Sequence, residues 1–144
     1  MIMYKILKAM AVLTMGSGSM IGTNANAADI CYVSKNNTSC STSQLAVRSG
    51  ATGKFTARIG NAGPGTVSVK TEIVRQTSSG SYPVAGGSMS CGAGLPSAPC
   101  SSRIHEYHFV NGGSSIAKYV GKLKDFKNTN NNAPSSLSGA WIKK

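Results

Sequence analysis

From Lys54 to Ile59 the chain alternates: Phe55, Ala57 and Ile59 are apolar, and Lys54, Thr56 and Arg58 are polar. The run "TVSVKTEIV" repeats the pattern, with Val67, Val69, Thr71 and Ile73 set against Ser68, Lys70 and Glu72. Alternation with a period of two gives a strand one buried face and one wet face. Between the two runs lies "NAGPG", Asn61 to Gly65, a strong turn signal that predicts a hairpin. A second hairpin is predicted from "RIHEYHFV" at 103–110 and "SIAKYVGKL" at 115–123, joined by "NGG" at 111–113. "QLAVR" at 44–48 and a short run around Tyr82–Val84 supply further strands. Breakers recur roughly every 8–12 residues and no amphipathic helix follows Cys40, the rhythm of an all-β sandwich or barrel. Beyond Phe126 the chain becomes "KNTNNNAPSSLSG", polar and low in complexity. Trp141 and Ile142 in the closing "AWIKK" either dock as a last strand or hang free.

The N-terminus has a different pattern. Lys5 and Lys8 are followed by an apolar stretch, Ala9 to Met15, diluted by Gly and Ser up to Gly22 and closed by Ala25-Asn26-Ala27. That is the three-part plan of a secretory signal peptide, with cleavage expected after Ala27. The stretch is too short and interrupted for a spanning helix, which needs about 20 apolar residues. The domain reading is therefore a signal peptide at 1–27, a β-sandwich at 28–127 and an Asn/Ser-rich tail at 128–144. The expected location is secreted or periplasmic, or associated with the cell surface.

Export gives the cysteines a meaning. "CYVSKNNTSC" runs from Cys31 to Cys40 and "CGAGLPSAPC" from Cys91 to Cys100, and these are the chain's 4 cysteines. In an oxidising compartment they form disulfides. Structural zinc sites favour C-x2-4-C, which this wider spacing does not match. Four cysteines allow three pairings, and the turn-formers inside each loop favour the local ones, Cys31–Cys40 and Cys91–Cys100. Each closure contributes roughly 2–3 kcal/mol by the loop-entropy model.

Here the pattern meets a resemblance. "FTARIGNAGPGTVSVKTEIVRQ" resembles the first hairpin of bacterial immunoglobulin-like modules of the cell-adhesion-related kind. "YHFVNGGSSIAKYVGKL" sits where such modules have their closing hairpin. The match covers roughly residues 50–125, as a pattern of turns and alternation. It implies an immunoglobulin-like sandwich of about seven strands, and no functional residue carries over from it.

Catalytic chemistry finds little support. In "HEYH", His105 and His108 are three apart, so one strand points them to opposite faces, and no metal is expected. A glycosidase needs two acids flanking a bond. Of the 4 acids in the chain, Asp29 and Asp125 lie at its margins. That leaves Glu72 and Glu106, to which Lys70 and Lys118 offer ion-pair partners. No G-x-S-x-G elbow is present, and no Gly-rich run joins a strand to a helix as a phosphate loop does. The expectation is a protein that is not an enzyme and has no cofactor.

Charge is the suggestive feature. The whole chain carries a formal +11. Without Lys5 and Lys8, thirteen Lys and Arg face four acids, or +9. Lys118, Lys122 and Lys124 share one face of their run, opposite Tyr119 and Leu123, and Lys127 extends it. Such a surface suits polyanions, here an acidic polysaccharide or lipopolysaccharide phosphates. Nucleic-acid binding normally adds aromatics, for which only Tyr119 and Trp141 are near, so nucleic acid is not the expected partner. The leading reading is a basic, non-catalytic, secreted module attached to an anionic envelope or host surface. The alternatives are an assembly subunit or anti-aggregation coat, resembling the dispersin type in size and charge, and an inhibitor or toxin-like effector. The last would present the Pro-stiffened "GLPSAP" loop to a protein partner, losing little entropy on binding.

Overall fold

The computed structural model describes residues 29–101 and 104–144. The expected signal peptide and its cleavage site lie outside the described residues. Among the described residues ten strands, all antiparallel where they pair, make two five-stranded sheets. They are β1 (Ile30–Val33), β2 (Cys40–Ser41), β3 (Leu45–Val47), β4 (Thr52–Asn61), β5 (Val67–Thr77), β6 (Gly80–Cys91), β7 (Cys100–Ser101), β8 (His105–Val110), β9 (Ala117–Asn128) and β10 (Ser138–Lys143). In the first sheet β10 lies between β1 and β4, and β7 and β8 share the far edge of β4. In the second, β2 and β3 share one edge of β9, followed by β5 and then β6. The all-β sandwich is as the pattern predicts, with more strands than the expected seven. The additional ones are short pieces at or next to the disulfide cysteines: β1 has four residues, and β2 and β7 have two each.

The two inner faces meet over the predicted apolar positions. Phe55, Ala57 and Ile59 from β4 pack with Val67, Val69 and Ile73 from β5 and with Tyr119 and Leu123 from β9. Phe109 of β8 joins them, its ring 5.9 Å from Phe55 and 4.3 Å from Tyr119. Ile142 is fully buried, so the C-terminal segment is an interior strand with Ile142 opposite Cys31 on one side and Ala57 on the other.

The predicted hairpins are corrected. β4 and β5 are not partners: β4 pairs with β10, β7 and β8, and β5 with β6 and β9. The "NAGPG" turn is an arch that carries the chain from one sheet to the other. "NGG" does the same between β8 and β9. Among the described residues, the one hairpin of consecutive strands is β5–β6, closed at Thr77–Gly80. Its second strand, predicted as a short run around Tyr82–Val84, extends over 12 residues. Gly86, Gly87 and Pro83 hide it from propensity, and Pro is tolerated because β6 is an edge strand whose outer side needs no donor.

Both arches are built on one wiring. Asn61 is buried, and its Oδ1 accepts from the Gly63 amide at 3.0 Å. Its Nδ2 donates to Gly65 O at 2.8 Å and to Gly92 O at 2.9 Å. Asn111, also buried, accepts from the Gly113 amide at 3.0 Å. Its Nδ2 donates to Ser115 O at 2.9 Å and to Val47 O at 2.8 Å. Each asparagine thus closes its own turn with one set of bonds and grips a neighbouring segment with the last. In the first arch Gly65 has φ 85, which a glycine adopts without a Cβ penalty.

The disulfides are the local pairs, Cys31–Cys40 and Cys91–Cys100. Their placement adds what spacing alone does not give. Each joins a strand of one sheet to a strand of the other, β1 to β2 and β6 to β7. Within both loops a pair of residues forms an isolated bridge, Ser34 with Asn37 and Leu95 with Ala98.

The arch wiring leads to a stability prediction. Asn61→Ala or Asn111→Ala strands several buried backbone partners, each costing about 1–3 kcal/mol if unmet. Each variant should lose about 3–4 kcal/mol in urea unfolding. Asn132→Ala, at an exposed position, should stay within about 0.5 kcal/mol.

Candidate functional site

The lysines fall on the outer face of the second sheet. Along β9, Ala117, Tyr119, Gly121 and Leu123 are buried, and Lys118, Lys122 and Lys124 alternate with them. Strict alternation would turn Lys127 to the core and Phe126 to water. The opposite occurs: Phe126 is buried in the core and Lys127 is exposed. The cause is a bulge. Asp125 has φ 55, and the β5–β9 register slips between Ser68 and Lys70. One extra residue resets the parity of the strand, returning Lys127 to the face of the other three.

Neighbours qualify the patch. Lys70 of β5 lies opposite Lys124 and adds a fifth cation. Two acids share the face. Glu72 pairs with Lys124 at 3.2 Å, and Asp125 with Lys70 at 3.3 Å. Lys118, Lys122 and Lys127 therefore carry the surplus charge, and Lys124 is largely spent on Glu72. Beneath them, Val74 and Val120 face outward opposite each other yet are almost fully buried. The flanking rows are Gln76–Lys118 and Glu72–Lys122, whose long stems are the material available to cover the valines.

The remaining candidates separate. Glu72 and Glu106 lie on outer faces of different sheets, so they cannot flank one bond. Their ion-pair partners are Lys124 and, at 3.7 Å, Lys54, instead of the expected Lys70 and Lys118. The sheet register decides this: Glu106 and Lys54 are diagonal neighbours on β8 and β4. The other acid, Asp29, pairs with Lys144 at 3.5 Å. Every carboxylate side chain of the protein thus faces a lysine. His108 Nε2 lies 3.4 Å from Glu106 Oε1, and the His105 ring centre 6.5 Å from that of Tyr107. Among the described residues no group of three or more His, Cys, Asp and Glu could hold a metal ion. Among them, too, no helix is long and apolar enough to cross a membrane.

The two aromatics near these lysines in sequence are elsewhere in the fold. Tyr119 is buried in the core. Trp141 is on β10, in the opposite sheet, with the Lys143 ammonium 5.8 Å from its ring centre. It faces outward between Tyr32 of β1 and Arg58 of β4. Beside this row the strands carry Gly139 and Gly60, paired with each other, then Ser101. The result is a pocket of about 460 Å³, lined by Arg58, Trp141, Gly60, Ser101, Leu137 and Pro99 among others. Arg58 Nε donates to Ser101 Oγ at 3.0 Å, and a second guanidinium nitrogen donates to the same oxygen. Sequence reading missed this site because it depends on the pairing of β10 with β4, strands far apart in the chain.

The "GLPSAP" loop is braced from two sides. Leu95 and Ala98 exchange backbone hydrogen bonds of 3.2 and 3.0 Å, and the Gly94 amide donates to Gly63 O of the first arch at 3.0 Å. Leu95 is left 62% exposed at the tip.

No family model and no curated protein matches this chain. Among solved structures, it has a likeness to a sugar phosphate isomerase from a cupin superfamily, from Silicibacter pomeroyi. That match has 12% identity, covers 84% of this chain and 80% of that one, and has a TM-score of 0.20. At that score the likeness carries no argument about fold or chemistry.

The bulge leads to a test. A left-handed backbone suits Gly and is strained for a β-branched residue. Asp125→Gly should stay within about 1 kcal/mol of the parent, since the exposed Lys70 pair is worth little. Asp125→Val should lose about 2 kcal/mol through backbone strain. Chemical denaturation measures both. Equal stability of the two variants would mean that the bulge does not need its left-handed residue.

Proposed function

We propose that this is a secreted, non-catalytic binding module that attaches to an anionic polysaccharide or to lipopolysaccharide phosphates. The lysine face of the second sheet makes the contact, with Lys118, Lys122 and Lys127 as its working residues. The observation that carries this reading is the bulge at Asp125, which keeps Lys127 on the face of Lys118 and Lys122. The chain's carboxylates support it, because they are matched to other lysines and leave these three as the surplus on this face. A sheet face made of lysines over a packed sandwich offers charge without reacting groups, which suits retention on a surface more than turnover.

The same reading places the sandwich with immunoglobulin-like modules. β4 pairs with β8 in one sheet and β5 with β9 in the other, as strands B with E and C with F do in that fold. β10 departs from the pattern, since it joins β1 and β4 where strand G of that fold joins F. A contact role for the "GLPSAP" loop is the second reading, favoured by the braced turn and the exposed Leu95.

Salt and substitution test the attachment. Binding through released counterions weakens steeply with salt. The variant with Lys118→Gln, Lys122→Gln and Lys127→Gln should elute from immobilised heparin or lipopolysaccharide at clearly lower salt than the parent, with unchanged unfolding. Lys124→Gln alone should shift elution less than Lys118→Gln alone, because Glu72 already neutralises Lys124. Elution of the triple variant at the parent's salt concentration would overturn the reading.

A further inference from the structure

The groove on the opposite face is placed to do something that a lysine patch cannot. On the outer surface of the first sheet, Trp141 and Arg58 are directly opposite on β10 and β4. Two residues further along each strand, roughly 7 Å away, come Gly139 and Gly60, with Ser101 next across the sheet. Two adjoining glycines therefore lie beside a row with a large aromatic ring and a guanidinium. Leu137 and Pro99 add apolar wall.

The two glycines have different reasons to be there. A Cβ on Gly139 would lie 2.8 Å from Val33 O, so the fold itself requires that glycine. A Cβ on Gly60 would meet only Cys100 O, at an ordinary 3.7 Å. Packing leaves room for a side chain at 60, and its effect would be to fill the groove. Glycine within a strand often marks a place where another group approaches closely.

We infer that this groove is a binding site for one acidic sugar residue of an anionic polysaccharide, the ring lying along Trp141 and its carboxylate meeting Arg58. Charge complementarity commits it to that occupant. Among the described residues lining the groove there is no carboxylate, and Lys143 sits beside the Trp141 ring. Arg58 spends two of its N–H groups on Ser101 and keeps the others of its five for a planar, bidentate partner. A tryptophan offers a broad, rigid apolar surface for the sugar ring. The site lies on the other side of the sandwich from the lysine face and goes beyond the attachment proposed above. Together the two faces would let one molecule bridge two polyanion chains.

The chain contains a single Trp, so its fluorescence reports on this groove. Titration with tetragalacturonate should change the emission saturably. The Lys118/Lys122/Lys127→Gln variant should respond as the parent does, which separates this site from the lysine face. Arg58→Gln and Gly60→Val should each weaken the response about tenfold or more while unfolding as the parent does. Uncharged cellotetraose should also bind about tenfold more weakly or worse. The inference is overturned by no saturable change up to about 10 mM tetragalacturonate. It is equally overturned by cellotetraose binding as well as the acidic chain, by Arg58→Gln and Gly60→Val both responding like the parent, or by a response that disappears with the three lysines.

Discussion

The fold depends on buried asparagine side chains at two of the points where the chain leaves one sheet for the other, β4 to β5 and β8 to β9. A sandwich of hairpins closes its turns with its own ladder. This one has a single hairpin of consecutive strands among the described residues, so its crossings need other fasteners. Asn61 and Asn111 supply them with matching geometry: one accepted bond from the amide two residues on, one donated bond to the carbonyl four residues on, and one donated bond to a separate segment. Such bonds matter most by what their loss leaves behind, since buried donors and acceptors without partners are expensive. The disulfides act on the same problem. Each joins the two sheets, and their strands share no hydrogen-bonded ladder with each other.

With the interior settled this way, both outer faces are free to carry chemistry. β9 and β5 pair along most of their length and form a stiff platform. The bulge at Asp125 decides which side Lys127 occupies on it. On the other sheet, β10 is inserted between β1 and β4, which brings Trp141 beside Arg58. The arches also position the rims. Ser138 donates to Asn61 Oδ1 at 2.5 Å, fixing the start of β10 and with it the Leu137 wall of the groove. Lys35 of the first disulfide loop reaches the carbonyls of Asn131 and Ala133, tying that loop to the segment that precedes β10.

Much of the fold was legible in the sequence because strands declare themselves locally. The alternation at 54–59 and 67–73 gives the inner and outer residues of β4 and β5 correctly, and the loop composition gives the disulfide pairs. The hairpins were misread for a physical reason. "NAGPG" and "NGG" have the residues that any tight reversal needs, and composition does not tell a reversal within a sheet from an arch between sheets. The cue was present in Asn61 and Asn111, whose side chains can close the longer turn. β6 was hidden by Gly and Pro, which an edge strand tolerates. The lysine face was visible through Lys124, but Lys127 reaches it only through a bulge at Asp125, a residue that does not advertise positive φ as glycine would. Phe126 held the hint, being an aromatic that strict alternation would leave in water. The groove had no local signal at all, since it exists only through the register of β10 against β4.

The joining of the two sheets rests on the arches, and hydrogen exchange of the asparagine side chains measures them directly. The Nδ2 protons of Asn61 and Asn111 are buried and bonded at both positions, so they should exchange only through large-scale opening. By NMR, their rates should be as slow as those of the backbone amides of Val69 and Leu123 in the core strands. Exchange as free as that of the exposed Asn131 and Asn132 side chains would contradict it, and would mean that the sheets are held together without these bonds.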